Sequence, residues 1–72
     1  MFDEVKDIIQ RYTDVRDITL ESVLTKDLGL SSFDLISIIS DFEEQFEIEV
    51  DDRDIMRFVT VRDIMNYLEV RP

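Results

Sequence analysis

The chain has no cysteine and no histidine, and only one glycine and one proline in 72 residues. Without cysteine there is no disulfide framework to reinforce a small core, and the composition suits a reducing compartment. Without histidine or cysteine, the commonest general base and the thiol nucleophiles are both missing. A single glycine excludes a phosphate-cradling P-loop and a dinucleotide fingerprint, each of which needs several. Basic residues are scarce too: 8 stand against 18 acidic ones, for a net charge of −10. Nucleic-acid affinity rests on lysine and arginine neutralising phosphates, so DNA and RNA are not expected partners. Proteins with basic docking patches, met by steered encounter, are. No run approaches the ~20 apolar residues of a membrane span, so membrane insertion is not expected. The start, Met1-Phe2-Asp3-Glu4, lacks the basic-then-apolar pattern of a secretion signal. These absences predict one small domain over residues 1–72, monomeric and cytoplasmic.

What the chain does have is helical periodicity. Phe2, Val5, Ile8, Ile9 and Tyr12 fall on one helical face, with acids early and Arg11 late, as the helix dipole prefers. Thr13 to Leu30 shows no sustained period, yet it carries Ile18, Leu20, Val23, Leu24, Leu28 and Leu30. So many large apolar residues predict an ordered loop packed over the core, with one short turn near Leu20 to Leu24. Gly29 just before a helix supplies a backbone angle that other residues dislike. Ser31 then reads as an N-cap, with Asp34 completing a capping box. Leu35, Ile38, Ile39, Phe42 and Phe46 form the apolar stripe of the second helix. At a step of ~100° per residue, Ser32, Ile36 and Glu43 share the flank of that stripe, while Ser37, Asp41 and Glu44 lie on the polar side. Glu47-Ile48-Glu49-Val50 alternates and reads as an extended exit whose Ile48 and Val50 plug the core. Asp51 or Asp52 caps a short third helix through Ile55, Met56 and Phe58. Thr60 with Asp63 opens the last helix, which buries Val61, Ile64, Met65 and Leu68. The expected fold is all-α: a small four-helix bundle with three longer helices, a short third one, and a long ordered loop between helices 1 and 2.

Little here can do chemistry unaided. The acidic run Asp51, Asp52 and Asp54 lacks the spacing of a calcium loop and reads as solvated helix-capping acid, so no metal is expected. Paired carboxylates could be drawn from many acids, but a chain this small implies no pocket around them, and no catalytic residue is expected. Ser32 is the one plausible covalent site. Taken alone it is an ordinary first-turn serine. Its position matters more, because free backbone N–H groups and the dipole at a helix amino terminus favour an anion such as a phosphate ester.

Asp27-Leu28-Gly29-Leu30-Ser31-Ser32-Phe33-Asp34-Leu35, then an isoleucine-rich helix, then Phe42-Glu43-Glu44-Gln45-Phe46, resembles the acyl carrier protein family. Leu28, Gly29, Ser32, Asp34, Glu43, Glu44, Phe46, Thr60 and Val61 match the family pattern in register, over essentially the whole chain. The resemblance implies a free-standing, non-enzymatic carrier. Ser32 would receive 4′-phosphopantetheine from coenzyme A through a phosphopantetheinyl transferase. The thiol of that arm would carry acyl groups as thioesters between enzymes of fatty acid biosynthesis or a related pathway. Asp34, Ile36, Glu43 and Glu44 would meet acyl-transferring, condensing and reducing enzymes with basic docking patches. Phe42, Phe46, Ile55 and Phe58 would line a shelter for the acyl chain. Two residues depart from the pattern: Ser31 stands where an aspartate normally precedes the modified serine, and Phe33 where a leucine follows it. Ser37 also occupies a position where an acid is common. The departures keep two alternatives open, a specialised polyketide or amino-acyl carrier and an acidic helical adaptor without a prosthetic group.

Overall fold

The computed structural model describes residues 1–70; Arg71 and Pro72, which the sequence reading places at the end of the domain, lie outside the described residues. Four helices follow in order: α1 (Phe2–Ile9), α2 (Ser32–Phe46), α3 (Asp52–Ile55) and α4 (Val61–Glu69). One of the longer elements is shorter than its periodicity suggests. Helix α1 ends at Ile9, and the chain continues through turns in which the Arg11 and Tyr12 N–H groups donate to the Ile8 and Ile9 carbonyls. Tyr12 therefore leaves the helical face, and its hydroxyl donates to the Asp41 carboxylate on α2 at 2.7 Å. Arg11 pairs with the same carboxylate at 3.6 Å, so the end of α1 is fastened to the side of α2.

Val5, Ile8 and Ile9 of α1, Ile38, Ile39 and Phe42 of α2, and Val61, Ile64, Met65 and Leu68 of α4 make the core. Phe42 is fully buried and packs on Phe46 with ring centroids 6.1 Å apart. Burying such side chains is the main favourable term, since each large apolar residue removed from water contributes about 1.5–3 kcal/mol. The ends of the predicted α2 stripe, Leu35 and Phe46, are only half-buried.

The loop from Thr13 to Leu30 is ordered, and it contributes Ile18, Leu24, Leu28 and Leu30 to the core. The Thr13 hydroxyl donates to the Leu28 carbonyl at 2.8 Å. A turn falls at Leu20 and Glu21, within the expected stretch, and the Asp27 carboxylate accepts the Val23 N–H at 2.8 Å, closing a further turn across 23–27. The loop is also joined to the start of α4 by an isolated antiparallel bridge between Val23 and Thr60. The Leu24 N–H donates to Val59, and the Val61 and Arg62 N–H groups donate to Ser22 and Leu20. This pairing has no local sequence signal, because it is set between segments far apart in the chain.

Helix α2 stops at Glu47, whose φ of 55° puts a non-glycine residue in the left-handed region. The expected extended exit thus begins one residue late. Its N–H and that of Ile48 both return to the Glu43 carbonyl, which completes the helix end. The Glu43 carboxylate then accepts the Val50 N–H at 2.9 Å. Asp51 is the acid that caps α3, accepting the Arg53 N–H at 2.8 Å.

Candidate functional site

The entry to α2 is built from three backbone choices. Gly29 takes φ 69°, and a Cβ there would meet open space, so the demand for glycine is conformational rather than steric. Leu30 is buried and ties its N–H to the Leu24 carbonyl at 3.1 Å. Ser31 turns extended and caps the helix: its hydroxyl accepts the Asp34 N–H at 3.1 Å, and the Asp34 carboxylate accepts the Ser31 N–H at 2.9 Å. Ser32 is therefore the first helical residue, and its side chain is exposed.

Beside Ser32 lies a small cleft of about 150 Å³ lined by Thr25, Leu35, Ile55, Met56 and Phe58. A second cleft of about 220 Å³ is lined by Ile36, Asp52, Ile55 and Met56. Ile55 and Met56 are common to both. Ile36 and Met56, which line these clefts, are 53% and 73% exposed, and Phe33, next to Ser32 in the chain, is 74% exposed. Phe58 is held edge-on against Tyr67 at 5.5 Å. Helix α3 thus supplies one wall of the site, and α3 is itself positioned by Asp51. The Asp51 carboxyl lies below its ordinary pKa because the Arg53 guanidinium and then the Arg53 N–H hydrogen-bond to it.

The residues singled out by sequence fall into separate places. Ser32 and Ile36 are brought together through the shared walls Ile55 and Met56. Asp34 sits beside Ser32, but its carboxylate is engaged in the capping box. Glu43 is about 16 Å further along the helix axis, and its carboxylate is engaged by the Val50 N–H. Glu44 is exposed and shares a polar depression with Arg11, Asp41 and Gln45. Of the four lining candidates, Ile55 and Phe58 face the Ser32 cleft, whereas Phe42 and Phe46 pack on each other and line neither cleft. Thr25, Leu35 and Met56 complete the cleft without having been singled out as site residues. Leu35 and Met56 carried helical periodicity, although α3 ends at Ile55, so that Met56 is its C-cap and Phe58 lies beyond the helix. Thr25 carried no signal, since it arrives through the loop turn in which the Gly29 N–H donates to its carbonyl. Among the described residues no cluster of acids is placed to hold a metal ion.

An exposed serine at the amino end of a 15-residue helix, next to a short capped helix and an apolar cleft, is compatible with the carrier domain that the sequence resemblance implies. Comparison with known proteins agrees. The family described as Phosphopantetheine attachment site matches residues 3–68. The chain is 41% identical to an acyl carrier protein of Thermotoga maritima over 71 residues, covering 96% of this chain and 88% of the relative. It is 34% identical to the acyl carrier protein of Campylobacter concisus, covering 96% and 92%. Its fold matches a solved structure described as a candidate acyl carrier protein from Mycobacterium tuberculosis, with TM-score 0.90, 33% identity and coverage of 96% and 95%. The chain belongs to the acyl carrier protein family. It is a carrier rather than a catalyst, and the cofactor of its family is covalent 4′-phosphopantetheine.

Proposed function

We propose that Ser32 is the attachment residue and that the whole chain acts as one free-standing, monomeric carrier domain. The observation that carries this reading is the contrast between two adjacent hydroxyls. The Ser31 hydroxyl is committed to the Asp34 N–H, whereas Ser32 presents an exposed side chain at the first helical position. The site suits the group. A phosphodiester on Ser32 would sit against the unpaired N–H groups and positive dipole end of α2, where an anion is stabilised. When bound, the arm supplies the thiol that this cysteine-free chain lacks. The protein's own residues do the rest: Ser31 and Asp34 fix the helix start, and Leu35, Ile55 and Phe58 offer an apolar wall beside it.

In this reading the carrier passes thioester-bound acyl groups between acyl-transferring, condensing and reducing enzymes of fatty acid biosynthesis in the cytoplasm. Their basic patches answer the charge of −10. Ile36 and Glu44 are free to meet them, and Phe33 and Met56 add apolar contact beside the arm. Asp34 and Glu43 contribute their charge while serving the fold. A second reading, a polyketide or amino-acyl carrier, is favoured by Ser31 and Ser37 standing where the family pattern has acids. The enzymes that accept the loaded protein separate the two.

Attachment is tested by intact mass after incubation with coenzyme A, magnesium and a broad-specificity phosphopantetheinyl transferase. The native chain and a Ser31→Ala variant are expected to gain the mass of one arm, and Ser32→Ala none. A native chain left at its sequence mass by several transferases would return it to the class of acidic adaptors.

A further inference from the structure

We infer that Glu43 is a positioning residue for the attachment site: its carboxylate holds the Val50 N–H and thereby sets helix α3 beside Ser32. The inference rests on Ser32 bearing the arm. Helix α3 has only four residues, too few to stand alone in water. Its hydrogen bonds turn inward. The Asp54 and Ile55 N–H groups return to the Asp51 carbonyl, and those of Arg57 and Phe58 to the Asp54 and Ile55 carbonyls. These bonds shape the helix but do not place it. Placement comes from contacts with the rest of the fold. Among them are the buried Ile55 side chain and, one residue before the Asp51 cap, the Val50 N–H, which crosses to the Glu43 carboxylate on α2 at 2.9 Å.

Glu43 is engaged twice. Its carbonyl accepts the Glu47 and Ile48 N–H groups, which ends α2, and its carboxylate accepts the N–H on the approach to α3. One residue thus fixes both where α2 stops and where the next segment begins, with Glu47 in the left-handed region between the two bonds. Val50 is buried, so an N–H left unpaired there would be costly, and an ionised carboxylate is a strong acceptor for it. Downstream, Ile55, Met56 and Phe58 line the cleft that Ser32 borders. The wall beside the reacting hydroxyl is in this way referred back to a side chain about 16 Å away along α2. Glu43 does this by reach rather than by charge, which separates it from the exposed Glu44.

Two substitutions separate reach from charge. Glu43→Gln removes the charge but keeps an oxygen at the same distance. Glu43→Asp keeps the charge but is shorter by about 1.5 Å, which takes a 2.9 Å bond out of hydrogen-bonding range. Amide and methyl NMR spectra of each unloaded variant are recorded, then the kinetics of loading from coenzyme A by a phosphopantetheinyl transferase. Glu43→Asp is expected to shift the signals of Ile55, Met56 and Phe58 and to lower kcat by about tenfold with KM little changed. Glu43→Gln should leave those signals in place and raise KM alone, as Glu44→Gln is expected to do. Signals at 55–58 that stay put in Glu43→Asp overturn the inference, as do signals that move as far in Glu43→Gln, or a reversed kinetic pattern. If Glu43→Asp does not fold, amide exchange in the native protein decides: a protected Val50 N–H supports the clasp, and one that exchanges as fast as the N–H of exposed Glu49 overturns it. Failure of the native chain to gain the mass of an arm is a different result. It removes the Ser32 assignment and the kinetic arm, while the NMR spectra still read the placement of α3.

Discussion

Helices α2 and α4 begin with the same device and put it to opposite uses. Each has an extended hydroxyl-bearing N-cap, Ser31 or Thr60, and each has an aspartate three residues on that returns to the cap N–H. The next residue differs. After Thr60 comes Val61, fully buried, its N–H donating to the Ser22 carbonyl across the chain at 3.1 Å. After Ser31 comes Ser32, exposed. A capping box fixes where a helix starts, but the packing of the following residue decides whether that start is locked into the core or left open to solvent.

The strongest way to break the contrast is to give α4 the residue that α2 has. Val61→Ser buries a hydroxyl and leaves a void in the core, so it should cost about 2–4 kcal/mol in urea unfolding. The reciprocal Ser32→Val should stay within about 0.5 kcal/mol of the native protein, because the position is exposed. Equal losses at the two positions would mean that the two helix starts are packed alike.

Removing the caps themselves tests what they share. Ser31→Ala and Thr60→Ala should each cost about 1 kcal/mol, measured by the same unfolding experiment. A loss near zero at Ser31 would mean that Asp34 alone can hold the start of α2.

The smallest effect should come from pH. The Asp63 carboxyl is held below its ordinary pKa chiefly by the N–H groups of Thr60 and Val59, which donate to it at 3.0 and 2.8 Å. A carboxyl with a lowered folded-state pKa adds stability in full above its unfolded value and loses it as pH falls through the folded one. Asp63→Asn should therefore melt below the native protein at neutral pH. The gap, about 0.5–1 kcal/mol after allowance for solvent screening, should close in acid. A gap that is constant with pH would show that the side chain acts by shape rather than by charge.

Much of this was legible in the sequence. Ser31 with Asp34, Thr60 with Asp63, the lone Gly29 and the buried faces of α2 and α4 are local patterns whose physics acts within a few residues. The bridge between Val23 and Thr60, the reach of Tyr12 to Asp41 and the use of Glu43 to hold Val50 were not, because each joins residues by folding rather than by spacing. Thr25 reaches the cleft for the same reason. Periodicity reports which face is buried. It does not report which carboxylate will be claimed by a distant N–H, so Glu43 looked free for partners and Glu44 no freer.

The bond from the Leu24 N–H to the Val59 carbonyl, 2.9 Å long, has a mechanical meaning for the cleft beside Ser32. Thr25 follows Leu24, Phe58 precedes Val59, and both line the Ser32 cleft. Two of its sides are therefore stitched together at the spine, like facing pages of a bound book. Two segments distant in the chain thereby form one wall of the cleft, fixed by the backbone rather than by side-chain packing alone.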